Sequence, residues 1–157
     1  MDRDTMIMAL REAISNVLEI MFFQPVQIVD YDCTLLEWFS QNQSLLGATL
    51  NFDGPLSGSL YLLIPGRMTG EITANFLGLG EEEINEEQKR DSVKEALNMI
   101  GGRMFSFFDR KSVFKLGIPK LIEESDLTDN RLRDMKGDII LIETEDNHLA
   151  AGIQIET

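Results

Sequence analysis

Few residue types in this sequence could carry out chemistry by themselves. His148 is the only histidine and Cys33 the only cysteine, and no Gly-x-Ser-x-Gly turn is present, so a Ser/His/Asp or Cys/His apparatus would depend on a single side chain. Zn²⁺ would lack a ligand set, although carboxylates could hold Mg²⁺. Neither Gly78-Leu79-Gly80 nor Gly101-Gly102 has the spacing of a phosphate-binding loop. The motifs of nucleophilic, zinc-dependent and nucleotide-binding enzymes are therefore missing from the sequence.

One segment, residues 85–109, has the periodicity of a long helix and spaces polar side chains as a site would. At about 100° per residue, one face collects the apolar residues Val93, Leu97, Ile100, Met104 and Phe108. The opposite face, called here the outward stripe, collects Asp91, Glu95, Asn98, Gly102 and Ser106. Glu95 and Asn98 lie three residues apart, so they are neighbours on this stripe, and Gly102 clears space beside them. By itself, such a stripe is more often a solvated surface than a site.

The segment 91–98, DSVKEALN, resembles the signature of the CheC/CheX/FliY family of chemotaxis phosphatases, in which Asp or Ser is followed by Glu and then Asn at this spacing. A bare Glu-x-x-Asn occurs by chance in many proteins. Four further segments also resemble CheX-type domains: 17–26 (VLEIMFFQPV), 56–65 (LSGSLYLLIP), 98–102 (NMIGG) and 117–119 (GIP). The resemblance thus extends over nearly the whole chain.

The resemblance implies a phosphatase that removes the phosphoryl group from the aspartate of a CheY-like response-regulator receiver domain. Asn98 would orient the attacking water, Glu95 would pair with the receiver's active-site lysine, and Asp91 and Gly102 would contact the partner. Phosphoryl transfer needs positioning and charge stabilisation more than a protein nucleophile, so this chemistry is reasonable for such side chains. Mg²⁺ would belong to the receiver, and we expect no cofactor in this chain.

The first predicted helix has only a degenerate version of the signature. In Glu12-Ala13-Ile14-Ser15-Asn16, Ser15 stands where the family has Asn, and Asn16 is displaced by one residue. We therefore expect one site per chain, as in the CheX-like branch. Two alternatives stay open. One is a catalytically silent adaptor of the same fold that docks on a receiver or a flagellar-switch component, and the other is an unrelated α+β enzyme.

Periodicity and turn residues predict the elements that must position the stripe. Helical spacing predicts helices over 5–21, with Asp4 or Thr5 as the cap, over 68–77 and over 85–109. Alternation and turn signals predict strands from 26 to near 38 and over 47–52, 56–64, 112–118, 139–143 and 149–155. The charged segment 120–136 has no period and is predicted to be a mobile loop.

These elements predict an α+β fold in which long helices pack on an antiparallel sheet. A long helix followed by three strands occurs twice, which indicates a degenerate internal duplication, and the resemblance implies a CheC-like fold. A chain of 157 residues fits one domain. We therefore expect a single CheX-like phosphatase domain over residues 1–157.

Composition limits the partners and the compartment. The formal net charge is −13, and no Lys/Arg cluster offsets it, so neither nucleic acid nor an anionic membrane surface is an expected partner. We predict a cytoplasmic protein, because the sequence has a single cysteine, no signal-peptide pattern and no apolar run of about 18 residues. The resemblance to CheX, together with an expected edge strand, also suggests a homodimer.

Overall fold

In the computed structural model, which describes residues 2–39, 44–108 and 114–156, five α-helices and seven strands follow one another along the chain. They are α1 (Arg3–Met21), β1 (Gln27–Val29), α2 (Leu35–Trp38), β2 (Leu45–Asp53), β3 (Gly58–Pro65), α3 (Gly66–Leu77), α4 (Glu86–Ser106), β4 (Lys115–Leu116), β5 (Lys120–Ile122), α5 (Asp129–Asp134), β6 (Asp138–Glu143) and β7 (His148–Ile155). Short 3₁₀ turns occupy Glu81–Glu83 and Glu124–Asp126.

The strands form one antiparallel sheet in the order β1-β6-β7-β3-β2-β4, and β5 also pairs with β2. Strands β3 and β7 lie at the centre. The order is symmetric about this central pair. Exchanging β3 with β7, β2 with β6, and β1 with the β4 and β5 pair gives the same order read from the opposite edge of the sheet. The α+β class predicted from the sequence is therefore confirmed, and the symmetric strand order agrees with the predicted internal duplication.

Helices α1 and α4 pack against each other and cover one face of the sheet. Their apolar stripes meet the sheet in the main core, which includes Leu10, Ile14 and Leu18 from α1, Leu97, Ile100 and Met104 from α4, and Leu50, Leu62, Ile142 and Ile153 from the strands. Burial of each such side chain contributes on the order of 1.5–3 kcal/mol. The core thus fixes which face of α4 points away from the sheet.

The two ends of α1 differ from the sequence-based expectation. Asp2, rather than Asp4 or Thr5, is the cap, because its carboxylate accepts a hydrogen bond from the Thr5 N–H at 2.7 Å. Hydrogen bonding to Thr5 lowers the pKa of Asp2. At the other end the chain turns at Phe23, whose φ of 51° is left-handed. The Gln24 N–H then donates to the Leu18 carbonyl at 2.8 Å, which closes the helix before the proline is reached.

The opposite face of the sheet carries elements that the sequence analysis missed. The first strand ends at Val29 rather than near Trp38, and the chain forms α2 instead, which begins with a capping box between Thr34 and Glu37. The prediction of a mobile loop over 120–136 is wrong, because this segment contains β5, a 3₁₀ turn and α5. Its few apolar side chains, Ile122 and Leu132 among them, join α2 in a second core.

The predicted strand over 112–118 is present only as Lys115–Leu116 in the described part. Residues 109 and 112–113, where the long helix was predicted to end and this strand to begin, lie outside the described residues.

Candidate functional site

The outward stripe of α4 is where the sequence predicted it. Leu97, on the inner face, is only 1% exposed, whereas Glu95 and Asn98 are half-buried and Asp91 and Gly102 are exposed. The predicted orientation of this helix is therefore confirmed. The four polar and glycine positions share one surface, and residues three or four apart on a helix have Cβ atoms about 5–6 Å from each other.

Helix α4 is held firmly at its N-terminus. The Gln88 N–H donates to Asn85 Oδ1 at 2.8 Å, and the Asn85 N–H donates to Gln88 Oε1 at 2.9 Å. This reciprocal capping box satisfies two backbone donors that would otherwise lack partners. Glu86 and Glu87 in the first turn also complement the helix dipole. The stripe is consequently carried by a capped, 21-residue helix packed on the core.

The ion pairs described along α4 include Asp91 but not Glu95. Lys94 Nζ lies 3.4 Å from Asp91 Oδ1, and Lys89 Nζ lies 3.0 Å from Glu86 Oε1. Neither pair involves Glu95, although Lys94 is its neighbour in sequence. The carboxylate of Asp91 therefore already has a cation from its own helix, whereas among the described residues no ion pair includes the carboxylate of Glu95.

The two glycines of α4 have different surroundings. A Cβ at Gly101 would lie 2.8 Å from Leu50 Cδ2 and 3.6 Å from the methyl groups of Leu116, so this glycine lets the sheet approach the helix. A Cβ at Gly102 would meet nothing within 4 Å. An exposed glycine inside a helix costs about 1 kcal/mol relative to alanine. Packing within the described chain gives no reason for that cost at Gly102.

A groove adjoins the stripe on the side of α3, and the sequence analysis did not find it. It has a volume of about 440 Å³ and is lined by Phe76, Leu77, Gln88, Asp91, Ser92 and Glu95. We call it the α3–α4 groove. Its apolar wall comes from the end of α3, where the pattern of the sequence showed only a helix closed by glycine. Glu95 and Asp91 belong both to this groove and to the outward stripe.

The counterpart of the stripe on α1 lacks the amide. Glu12 is exposed and Ser15 half-buried, so the internal symmetry places a hydroxyl where α4 has the carboxamide of Asn98.

His148 has a structural contact instead of a catalytic one. Its ring stacks on Trp38 with the centroids 4.0 Å apart, and its Nδ1 lies 3.1 Å from the Trp38 carbonyl oxygen.

The described residues offer neither a metal-binding cluster nor a membrane-spanning helix. No group of three or more His, Cys, Asp or Glu side chains there could hold a metal ion. Within the same residues, no helix has the length and apolar character needed to cross a membrane.

Comparison with known proteins gives a family-model match and several structures of the same fold. The model described as "Chemotaxis phosphatase CheX" matches residues 46–143. No curated protein sequence matches the chain.

Three solved structures illustrate the likeness. A CheC-like superfamily protein from Shewanella sp. PV-4 is 19% identical with a TM-score of 0.71, covering 100% of both chains. Chemotaxis protein CheX from Vibrio vulnificus is 16% identical with a TM-score of 0.70, covering 96% of each chain. A chain of the CheX–CheY–BeF₃–Mg²⁺ complex from Borrelia burgdorferi is 14% identical with a TM-score of 0.64, covering 96% of this chain and 97% of that one. The predicted CheC-like fold is therefore confirmed.

Proposed function

The chain belongs to the family of CheX chemotaxis phosphatases, and from that premise we propose that it hydrolyses the aspartyl phosphate of a CheY-like receiver domain. The observation that carries this proposal is the placement of Glu95 and Asn98. They lie side by side on the outward surface of a capped helix whose opposite face is locked into the core. A rigid helix can present both groups to a partner with little reorganisation.

In the proposed reaction Asn98 inserts its carboxamide beside the phosphoryl group and orients a water molecule in line with the bond to the aspartate. The water oxygen attacks phosphorus, the P–O bond to the aspartyl carboxylate breaks, and inorganic phosphate leaves as dihydrogen phosphate with both protons of the water, one of which it then shares with the solvent. The aspartate departs as a carboxylate. No covalent intermediate on this chain is required, since positioning and charge stabilisation dominate phosphoryl transfer.

Glu95 has the docking role in this proposal. Its carboxylate lies outside the Lys89–Glu86 and Lys94–Asp91 ion pairs described for α4, and it pairs with a lysine of the receiver. Such a contact is partly desolvated when the interface closes, which makes loss of one partner costly. Asp91, held by Lys94 on its own helix, contributes at the edge of the interface, and Gly102 admits the receiver's backbone close to α4.

The receiver is the partner that the comparisons favour. One structure of the same fold is a complex of CheX with CheY, BeF₃ and Mg²⁺. We place the Mg²⁺ of the reaction in the receiver and none in this chain. The rival candidate, a catalytically silent adaptor that docks on a receiver, would use the same surface for binding without turnover.

The deciding experiment measures phosphate release from phosphorylated CheY-like receivers with and without this protein. Replacing Asn98 by Ala should lower kcat on the order of 10²–10³-fold, because a donor acting in the transition state is lost. Binding to the activated receiver should largely persist, and the free energy of unfolding should change by no more than about 0.5 kcal/mol. Asn98→Gln keeps the amide but moves it by about 1 Å, which should cost on the order of a hundredfold.

Asn16→Ala is the matched control, since Asn16 is also a half-buried asparagine on a long helix but stands outside the signature. It should leave turnover unchanged. Glu95→Ala should raise KM as well as lower kcat. Full activity of the Asn98→Ala protein would remove the mechanism, and tight binding without any phosphate release by the unaltered protein would select the adaptor.

A further inference from the structure

The corner of the fold next to the α3–α4 groove exposes several large apolar side chains. Leu77 is 42% exposed, Leu79 is 40% exposed, and Phe23 is 68% exposed. Single exposed apolar residues are ordinary, but a cluster beside a groove indicates a contact surface. The groove itself has Phe76 and Leu77 as its apolar wall.

Phe23 belongs to this corner because the end of α1 is fastened to the end of α3. The ring of Phe22 stacks on that of Phe76 with the centroids 4.7 Å apart, and Asn75 Nδ2 donates to the Phe22 carbonyl at 3.0 Å. The next residue, Phe23, has a φ of 51°. Glycine or asparagine is usual in that conformation, and a bulky residue there is strained.

The strain at Phe23 has no compensation within the described fold, since most of the side chain is in solvent. A smaller residue would relieve the backbone and lose little burial. Strain that packing does not explain is a reason to look for a binding role. A large, rigid aromatic side chain contributes most when a partner buries it.

The apolar corner is continuous with the proposed catalytic surface. Glu95 and Asp91 line the α3–α4 groove and also belong to the outward stripe. A standard protein interface covers about 800 Å² on each partner, which is wider than a single helical stripe. A protein whose cation pairs with Glu95 therefore touches the rim of the groove, and the acidic rim beside Phe76 and Leu77 favours a cation next to an apolar group.

We propose that Phe23, Leu77 and the α3–α4 groove form a second contact for the receiver domain, taking an apolar side chain that adjoins the receiver's lysine. This inference rests on the proposed function, because the receiver is its occupant. It assigns affinity to the corner and turnover to Asn98. The two contributions can be separated experimentally, since one is required for binding and the other for the chemical step.

The test uses a CheY-like receiver activated with beryllofluoride for binding, and the phosphorylated receiver for turnover. Leu77→Ser and Phe23→Gly should each weaken binding about tenfold or more and raise KM, with kcat unchanged, because a buried apolar contact is lost. Phe23→Gly should at the same time raise Tm by about 2–4 °C, because glycine adopts the left-handed conformation without strain. Weaker binding by a more stable protein could not come from misfolding.

Tyr31→Ser is the control. Tyr31 is 59% exposed, and its ring lies against Trp38 in the second core, on the face of the sheet opposite α4; its loss should leave Kd and KM unchanged. Unchanged Kd and KM in both Leu77→Ser and Phe23→Gly would overturn the inference, even if Asn98→Ala had lost its turnover. Full turnover by Asn98→Ala would overturn the catalytic proposal, while the binding measurements would still judge the corner.

Discussion

Tyr61 and Gly152 face each other across β3 and β7, the central pair of strands. A Cβ on Gly152 would overlap the ring of Tyr61, so the aromatic ring covers the position where the glycine has no side chain. The hydroxyl at the end of that ring is buried, and no hydrogen-bond partner reaches it among the described residues. A buried, unpaired hydroxyl costs about 1–3 kcal/mol.

Tyr61→Phe should therefore raise the free energy of unfolding by about 1 kcal/mol, because the ring stays over Gly152 and only the unpaired hydroxyl is removed. Chemical denaturation near neutral pH measures this. Tyr31→Phe is the control, since Tyr31 is 59% exposed. A loss of stability in Tyr61→Phe would show that the hydroxyl has a partner that stabilises the fold.

The same tyrosine predicts a dependence on alkaline pH. Burial, and to a smaller extent the charge of Asp138, raises the pKa of Tyr61 above its ordinary value. The folded protein thus binds this proton more tightly than the unfolded chain. Its titration leaves the free energy of unfolding unchanged below about pH 10 and lowers it as the pH rises further, because the unfolded chain loses the proton first. Denaturation at pH 9 and 11 should show a smaller loss for Tyr61→Phe than for the unaltered protein. Equal losses would contradict the expectation.

The adjacent glycines of α4 should respond oppositely to alanine. Gly102→Ala should stabilise the protein by up to about 1 kcal/mol, because an exposed helix position gains propensity. It should also weaken receiver docking if close approach occurs there. Gly101→Ala should lower stability by up to about 2 kcal/mol, since overpacking against buried Leu50 outweighs that gain. Denaturation and receiver binding of both variants check this, and tighter or unchanged docking by Gly102→Ala would remove Gly102 from the interface.

Hydrogen exchange should distinguish the parts of segment 120–136. Strand β5 pairs with β2 from Lys120 to Ile122, so its paired amides should exchange slowly. The 3₁₀ turn at Glu124–Asp126 is exposed and should exchange fast. Peptide-resolved mass spectrometry can measure both. Uniformly fast exchange over 120–136 would return the segment to the mobile loop that its charge suggested.

Self-association stays a prediction. Strand β1 is bonded on one side only within the described sheet, and an open edge can pair with a second copy. Because β1 has three residues, a stable dimer would need contacts beyond the strand to reach the 1,000 Å² or so that such interfaces bury. Sedimentation should show a mass that rises with concentration, and a constant monomer mass would exclude the homodimer.

The strongly periodic parts of this fold could be predicted from the sequence. The stripes of α1 and α4 are long enough for a period to be read, and the Glu95 and Asn98 surface followed from that period together with the family signature. The second face of the sheet could not be predicted in this way. Helix α2 has four residues and β5 three, which is too few to show a period. These short elements are stabilised by tertiary packing, in which Ile122 of β5 and Leu132 of α5 join α2 in the second core.

One local signal for α2 was present in the sequence. Thr34 and Glu37 have the spacing of a capping box, and both of its hydrogen bonds are formed. The α3–α4 groove had no comparable signal, because it arises where the end of α3 meets α4, and that meeting depends on the whole fold. Phe23 in a left-handed turn is likewise invisible to patterns that expect glycine there.

The symmetric order of the sheet has a consequence for synthesis. Strand β1 is made early, yet its partner β6 lies near the other end of the chain, and β3 must wait for β7 in the same way. Such distant pairings are slow to form, and apolar surfaces stay uncovered in the meantime. A nascent chain that has formed α1 and the first three strands therefore still has an incomplete sheet. It can complete its fold only after the hairpin of β6 and β7 has been synthesised and has inserted between β1 and β3.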